Sequence, residues 1–339
     1  MRGSLSAIAA SRLQFFILKS IAPKIFGVIG MTRFFQNNPA LMEDIISILN
    51  RPLSVDEMQQ IADRRGRFKL LRLDYLQLGD TAGAYLLRSL RDSNVLESLY
   101  VPQNRLGLES ARAIKELLET TTTLQDMDLQ YNNFGNQEAA LIFEGLRHNT
   151  SMRKCSLWLN QIDDQGVRVI AEYLASNPPL LSLSLGRNPI TVNGLQELEL
   201  AIRDNTHLLE FTEPFHMYDA NKSAYQAVSQ RIKSTLSRNR EMKKESLIHS
   251  LVNNPLLSQQ DFEDFVPTLK DLIHVLELIK YSLNDWRGRV VLRDIIDPLK
   301  RYRGLGQYRE AKAYLQQTVP SLQPVAIIQT ELRDCLRIN

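Results

Sequence analysis

The chain has 339 residues, with 41 Lys and Arg against 38 Asp and Glu for a net charge of +3, and is 44% hydrophobic and 23% charged. That is an ordinary globular composition, long enough for one large domain or two smaller ones. So small a charge excess argues against a dedicated nucleic-acid binder, which needs a strongly basic face, and two distant cysteines, Cys155 and Cys335, make no disulfide framework and suit a reducing compartment such as cytosol.

The segment 1–67 reads as a helical N-terminal capping region. Its most apolar stretch, Leu13 to Met31, is broken by Lys19, Pro23 and Lys24, so it does not reach the roughly 20 apolar residues of a membrane span. Arg2, Arg12, Lys19, Lys24 and Arg33 are basic, and no acid precedes Glu43. A signal peptide fits poorly because Arg12 and Lys19 interrupt the apolar run. The cap is the expected role, covering the first unit of the array that follows. A transit segment, or attachment to a membrane surface through residues 1–35, is the alternative.

From Phe68 the chain repeats itself. Phe68, Leu96, Leu124, Met152, Leu180 and Leu208 are evenly spaced with a period of 28. Three residues after each stands Leu71, Leu99, Met127, Cys155, Leu183 or Phe211, and two further on Leu73, Val101, Leu129, Leu157 or Leu185. Asn104, Asn132, Asn160 and Asn188 follow at a common phase. Next comes a stripe at spacings of three and four, such as Ala111, Ile114 and Leu118, or Val167, Ile170 and Leu174, which marks one helical face. Each unit therefore predicts a strand, a bend and a helix, and a unit that cannot bury its own apolar face must stack on its neighbours. The asparagine amides are expected to turn inward and satisfy backbone groups in the bend. Strands stack at about 4.8 Å while helices need about 10 Å, so the array should curve with the sheet inside.

The segments LQDMDLQYNNFGNQEAALIFEGLRHNT and MRKCSLWLNQIDDQGVRVIAEYLASNP resemble leucine-rich repeats of the ribonuclease-inhibitor-like subfamily. The resemblance covers residues 68 to about 212, and a longer sixth unit is expected to run to Asn239. It implies an α/β solenoid, a curved parallel sheet with helices outside, over residues 68–239. Two end units depart from the pattern: Leu76 stands at the first asparagine position, and the sixth unit has Glu213 and His216 at core and asparagine positions.

Strand alternation predicts which side chains face the inner side of the sheet. These are Arg72, Asp74, Tyr100, Asp126, Asp128, Gln130, Lys154, Ser156, Trp158, Ser184 and Gly186, with Tyr75, Tyr131 and Arg187 one step further. Tyr100, Tyr131 and Trp158 are expected to form an aromatic cluster on a polar surface. Tyr, Trp and Arg dominate interface hot spots, so this face is the expected site for a protein partner. Asp126 and Asp128 lie at i and i+2 and could hold a hard cation, but no third carboxylate is assured, and an acidic patch for a basic partner is the simpler reading. No metal or cofactor is therefore expected.

The motifs of common chemistries are missing: there is no G-x-S-x-G, no H-E-x-x-H, no Walker loop and no C-x-x-C. Gly304-x-Gly306 lacks the later glycine of a dinucleotide fingerprint. Cys335, near Arg333 and Arg337, reads as a buried helix residue rather than a reactive thiolate.

Residues 240–339 read as a helical domain. Helices are expected over 223–250, 259–281, 289–301, 307–317 and 323–336, with a kink at Pro267. Basic residues from Arg287 to Lys312 are interleaved with Asp285, Asp294, Asp297 and Glu310, as on a solvated mixed-charge face. The resulting expectation is a monomeric, non-catalytic scaffold that binds a protein. A lone array with a helical tail resembles host-directed effectors of intracellular bacteria, which implies action in host cytosol. The resemblance also extends to Ran GTPase-activating proteins, the alternative regulatory reading, and a membrane-attached adaptor is the third.

Overall fold

The computed structural model describes residues 45–47, 55–214, 222–253, 259–283, 286–301 and 308–322. The basic segment 1–35, His216, the expected helix at 323–336 and Cys335 lie outside the described residues. The chain divides into two compact units, one of Met1–Asn205 with Phe211–Lys222 and the other of Thr206–Glu210 with Ser223–Asn339.

In the first unit short strands alternate with helices: β1 (Ile45–Ser47), α1 (Val55–Asp63), β2 (Leu70–Arg72), α2 (Gly79–Ser89), β3 (Ser98–Tyr100), α3 (Leu108–Thr120), β4 (Asp126–Asp128), α4 (Asn136–His148), β5 (Lys154–Ser156), α5 (Asp164–Ala175), β6 (Ser182–Ser184) and α6 (Val192–Arg203). With β7 (Glu210–Thr212) the strands form one sheet in sequence order. Neighbours from β1 to β6 are parallel, and from β2 onward register partners stand one repeat apart, such as Leu71 with Leu99 and Met127 with Cys155. This is an α/β leucine-rich-repeat solenoid. The region expected to be wholly helical before Phe68 also contributes a strand, so the sheet starts one strand earlier than the sequence pattern.

The repeat phases are the core. Leu71, Leu99, Met127, Cys155 and Leu183 are buried at the centres of their strands, and Ala111, Ile114, Leu118, Ile142, Leu146, Ile170 and Leu174 are buried on the facing side of the helices. Gly145 sets how closely α3 and α4 approach, because a Cβ there would come within 3.1 Å of Lys115 backbone atoms.

After three residues each strand turns away toward its helix, and the backbone in that bend has no regular ladder. Asparagine supplies the missing partners. The Oδ1 of Asn132 accepts from the N–H groups of Asn104 at 3.0 Å and Leu106 at 3.1 Å, while its Nδ2 donates to the carbonyls of Val101 at 3.1 Å and Leu129 at 3.0 Å. Asn160 repeats this one unit on, and Asn104 and Asn188 keep the donation 31 residues back, to Leu73 and Leu157. A second set closes the helix ends. Asn149 donates to the Leu118 and Thr121 carbonyls and accepts from the N–H groups of Ser151 and Met152, and Asn205 donates to the Leu174 carbonyl.

The helices are also capped from the preceding unit. Asp80 accepts from the N–H groups of Gly107, Glu109 and Ser110 at 2.8–2.9 Å, at the start of α3. Burial alone would push this carboxyl up, but the backbone donors and the Ser110 hydroxyl outweigh it and hold it below the usual carboxylate value. Asn136 and Asp164 serve α5 and α6 in the same way.

In the second unit α7 (Lys222–Asn253), α8 (Gln259–Ser282), α9 (Trp286–Arg301) and α10 (Tyr308–Leu322) are helical. Here α7 runs unbroken through 239–240, as does the helix expected over 223–250. Asn239 still donates to a carbonyl 31 residues back, that of Leu208. Leu269, Leu272, Ile273, Leu276 and Ile279 of α8 and Ile295, Ile296 and Leu299 of α9 are buried, and Lys300 reaches Glu277 at 2.5 Å. The backbone stays helical through Pro267 and Pro298.

Replacing Asn132 with alanine strands three buried backbone groups, the Asn104 and Leu106 N–H and the Val101 carbonyl, at roughly 1–2 kcal/mol each, and should lower the unfolding free energy in urea by about 3–5 kcal/mol. Asp80→Ala removes a cap and should cost about 1 kcal/mol. Since the folded Asp80 carboxyl titrates below 3.8, its contribution is complete above that pH and is lost below it. Equilibrium unfolding of Asp80→Ala and the parent should therefore converge on acidification below that value.

Candidate functional site

Helices cover one side of the sheet, and the flanking residues of each strand from β3 to β6 are half-buried on the other. Registered pairing sorts them into rows. One row runs Ser98, Asp126, Lys154 and Ser182, and the next runs Arg72, Tyr100, Asp128, Ser156 and Ser184. Ladder bonds continue beyond the strands, from Tyr75 N–H to Pro102 O, Gln103 N–H to Gln130 O, Tyr131 N–H to Trp158 O and Leu159 N–H to Gly186 O. They align a third row of Asp74, Pro102, Gln130, Trp158 and Gly186. Ser98 and Ser182 are absent from the sequence-derived set, although counting one repeat back from Asp126 and one on from Lys154 reaches them.

Over β2 to β4 the side chains form a polar network. The Arg72 guanidinium lies 4.7 Å from the Tyr100 ring centroid and 3.4 Å from the Asp74 carboxylate. The Tyr100 hydroxyl donates to Asp126 at 2.8 Å. Burial, this hydrogen bond and the Asp126 charge push the phenol up to about 12, so it remains a neutral donor at physiological pH. Asp128 accepts from the Gln130 N–H at 3.0 Å. Burial raises the Asp74 and Asp128 carboxyls above their ordinary value, and nearby acids add to it: Asp128 acts on Asp74, and Asp126 on Asp128. Although Asp126 and Lys154 are register neighbours, no ion pair joins them.

The second cluster lies toward β6. The Trp158 indole rests over Gly186, where a Cβ would stand only 2.5 Å from Cδ1 and 2.8 Å from Nε1. The Arg187 guanidinium is 5.6 Å from the same ring centroid. The expected Tyr100, Tyr131 and Trp158 cluster is therefore not what forms. Among the described residues no ring contact joins these three, because Tyr100 pairs with Arg72, and Trp158 with Gly186 and Arg187. Tyr131 stands exposed, and like Tyr75, Gln103, Leu159 and Arg187 it has a positive φ, between 51° and 60° across this set, immediately before the asparagine position of its unit.

Cys155 lies buried at the centre of β5, and burial with the charges of Asp128 and Asp126 pushes its thiol up to about 12. That is the setting of a packed side chain rather than a nucleophile. Among the described residues no group of three or more His, Cys, Asp or Glu is arranged to hold a metal ion. A cavity of about 520 Å³ lined by Val55, Met58, Leu78 and Tyr85 lies away from this face, and the one acid in its lining, Asp80, is committed to capping α3.

A family model described as Leucine Rich repeat matches residues 176–198. Among solved structures the chain is similar to actin-binding site 2 of leiomodin-1, at 13% identity over 57% of this chain and 94% of that one, with a TM-score of 0.37. It is also similar to the C-terminal domain of tropomodulin from Caenorhabditis elegans, at 15% identity over 55% and 95%, with a TM-score of 0.35. No curated protein matches it in sequence.

The raised Asp74 and Asp128 carboxyls make the folded chain hold protons that the unfolded chain releases, so they lower stability as pH rises from 3.8 through their folded values. Asp74→Asn and Asp128→Asn should each raise the thermal midpoint at pH 7 and leave it unchanged near pH 3, as calorimetry would show. Gly186→Val puts a Cβ within 2.5 Å of the indole, so the ring must move, and the change should shift Trp158 emission, read in a Trp286→Phe background.

Proposed function

We propose that this chain is a non-catalytic scaffold that binds a protein partner on the open face of its sheet. The observation that carries the reading is the pair of arginine–aromatic stacks, Arg72 on Tyr100 and Arg187 on Trp158, held on a sheet face whose flanking strand residues are only half-buried. Arginine, tyrosine and tryptophan are the side chains that most often dominate binding energy at interfaces. Here they are pre-positioned, which reduces the ordering cost of binding. Parallel strands are ordinarily covered on both faces, so a face left half-exposed calls for an occupant. The proposed contact set is Arg72, Asp74, Tyr100, Asp126, Asp128, Gln130, Tyr131, Lys154, Ser156, Trp158, Ser184 and Arg187.

The setting belongs to the same proposal. The two distant cysteines favour cytosol, and the resemblance of a lone repeat array with a helical tail to host-directed effectors favours the cytosol of a host cell. The test is affinity capture from eukaryotic cell lysate by the full chain beside a Tyr100→Ala, Trp158→Ala double variant whose fold is verified by circular dichroism. Hot-spot truncations cost about 2 kcal/mol or more each, so a stoichiometric partner of the parent should be lost from the variant. A partner held equally by both proteins would remove the open face from consideration.

A further inference from the structure

The open face has two chemically different poles at a defined separation. Over β2 to β4 lie three carboxylates, Asp74, Asp126 and Asp128, with Arg72 as the cation among them. Over β5 and β6 lies an aromatic shelf, the indole of Trp158 resting on Gly186 with the Arg187 guanidinium 5.6 Å from its ring centroid. Parallel strands are about 4.8 Å apart, so β4 and β6 are separated by roughly 10 Å.

The acidic pole is set up for a cation from outside. Tyr100 commits its hydroxyl proton to Asp126. Arg72 divides its guanidinium between the Tyr100 ring and Asp74. The register neighbours of Asp128, Tyr100 and Ser156, carry no charge. Partly buried acids that crowd one another lower stability and are relieved by an added positive group.

The spacing limits what can reach both poles. Side chains at i and i+3 of a polyproline-type segment project on the same side and lie about 9.3 Å apart, from a rise of about 3.1 Å per residue. A fully extended strand puts i and i+3 on opposite sides. The geometry points to a protein partner that crosses the strands with a polyproline-type segment, setting a basic residue among Asp74, Asp126 and Asp128 and an apolar residue three positions away on Trp158. This rests on the scaffold reading above and specifies its partner.

The probe is a random dodecapeptide phage library selected on the full-length chain. Enriched peptides should carry arginine or lysine three positions from proline or another apolar residue. A synthetic copy should bind Asp74→Asn, Asp128→Asn and Trp158→Ala each at least tenfold more weakly. Changing its basic residue to glutamine should cost no further affinity against Asp128→Asn, which places that residue at the acidic pole. The two asparagine variants should melt at or above the parent, so that lost binding is not lost fold. Peptides weakened by Trp158→Ala but not by the asparagine changes would overturn the basic anchor and leave the open face as a binding surface. Peptides indifferent to all three changes, or no enrichment at all, would overturn both.

Discussion

The hydrogen bonds of the inward-turned asparagines are the constraint on which the repeat array depends. A strand of three residues cannot turn into a buried bend without leaving backbone donors and acceptors unpaired, and each such group costs free energy comparable to a lost hydrogen bond. One primary amide has two donors and an acceptor with two lone pairs, and Asn132 uses four of these capacities on four backbone groups. Three of its partners, Val101, Asn104 and Leu106, belong to the preceding unit, so the same bonds that close one bend set the register of the next. A one-residue insertion would break that relation on both sides. The helix-end asparagines and the carboxylates that cap the following helix add two more connections with the same stride.

Equal stride has a consequence for the open face. Because every strand from β2 to β6 pairs with its neighbour at the same one-repeat offset, side chains at the same phase form straight rows across the sheet. These rows answer no packing demand from the helices, and their composition departs from what stability alone favours. Serine occupies several positions, whereas Asp74, Asp126 and Asp128 sit close enough for neighbouring charges to raise the proton affinity of Asp74 and Asp128. An array selected only to be stable would not keep acids half-buried beside acids. Arg72 and Arg187 are held over rings, in contacts worth about 0.5–1 kcal/mol at exposed sites, which fixes their direction more than it strengthens the fold.

Other charged contacts of the array differ in kind. Lys115 with Glu144 and Arg147 with Glu172 join successive helices at 2.6 Å, but they are exposed and such pairs contribute about 0–1 kcal/mol. In the second unit the buried apolar faces of α8 and α9 carry the packing, and Lys300 with Glu277 lies outside it.

The sequence by itself determined the array. Its period, the buried phases, the asparagine positions, the alternation that puts Tyr100, Asp128 and Trp158 on one side of the sheet, and the run of helices after Asn221 are all readable without coordinates. Periodic burial is a local property, set by which side of a strand or helix a residue occupies. The tertiary structure alone decided which side chains meet. It paired Tyr100 with Arg72 rather than with the other aromatics, laid Trp158 on Gly186, gave Asp80 the start of the next helix, and added Ile45–Ser47 as a strand ahead of the first recognisable repeat. Those outcomes depend on distances of a few ångströms between side chains about one repeat apart in the chain, where several partners are within reach and the packing of the whole unit selects one.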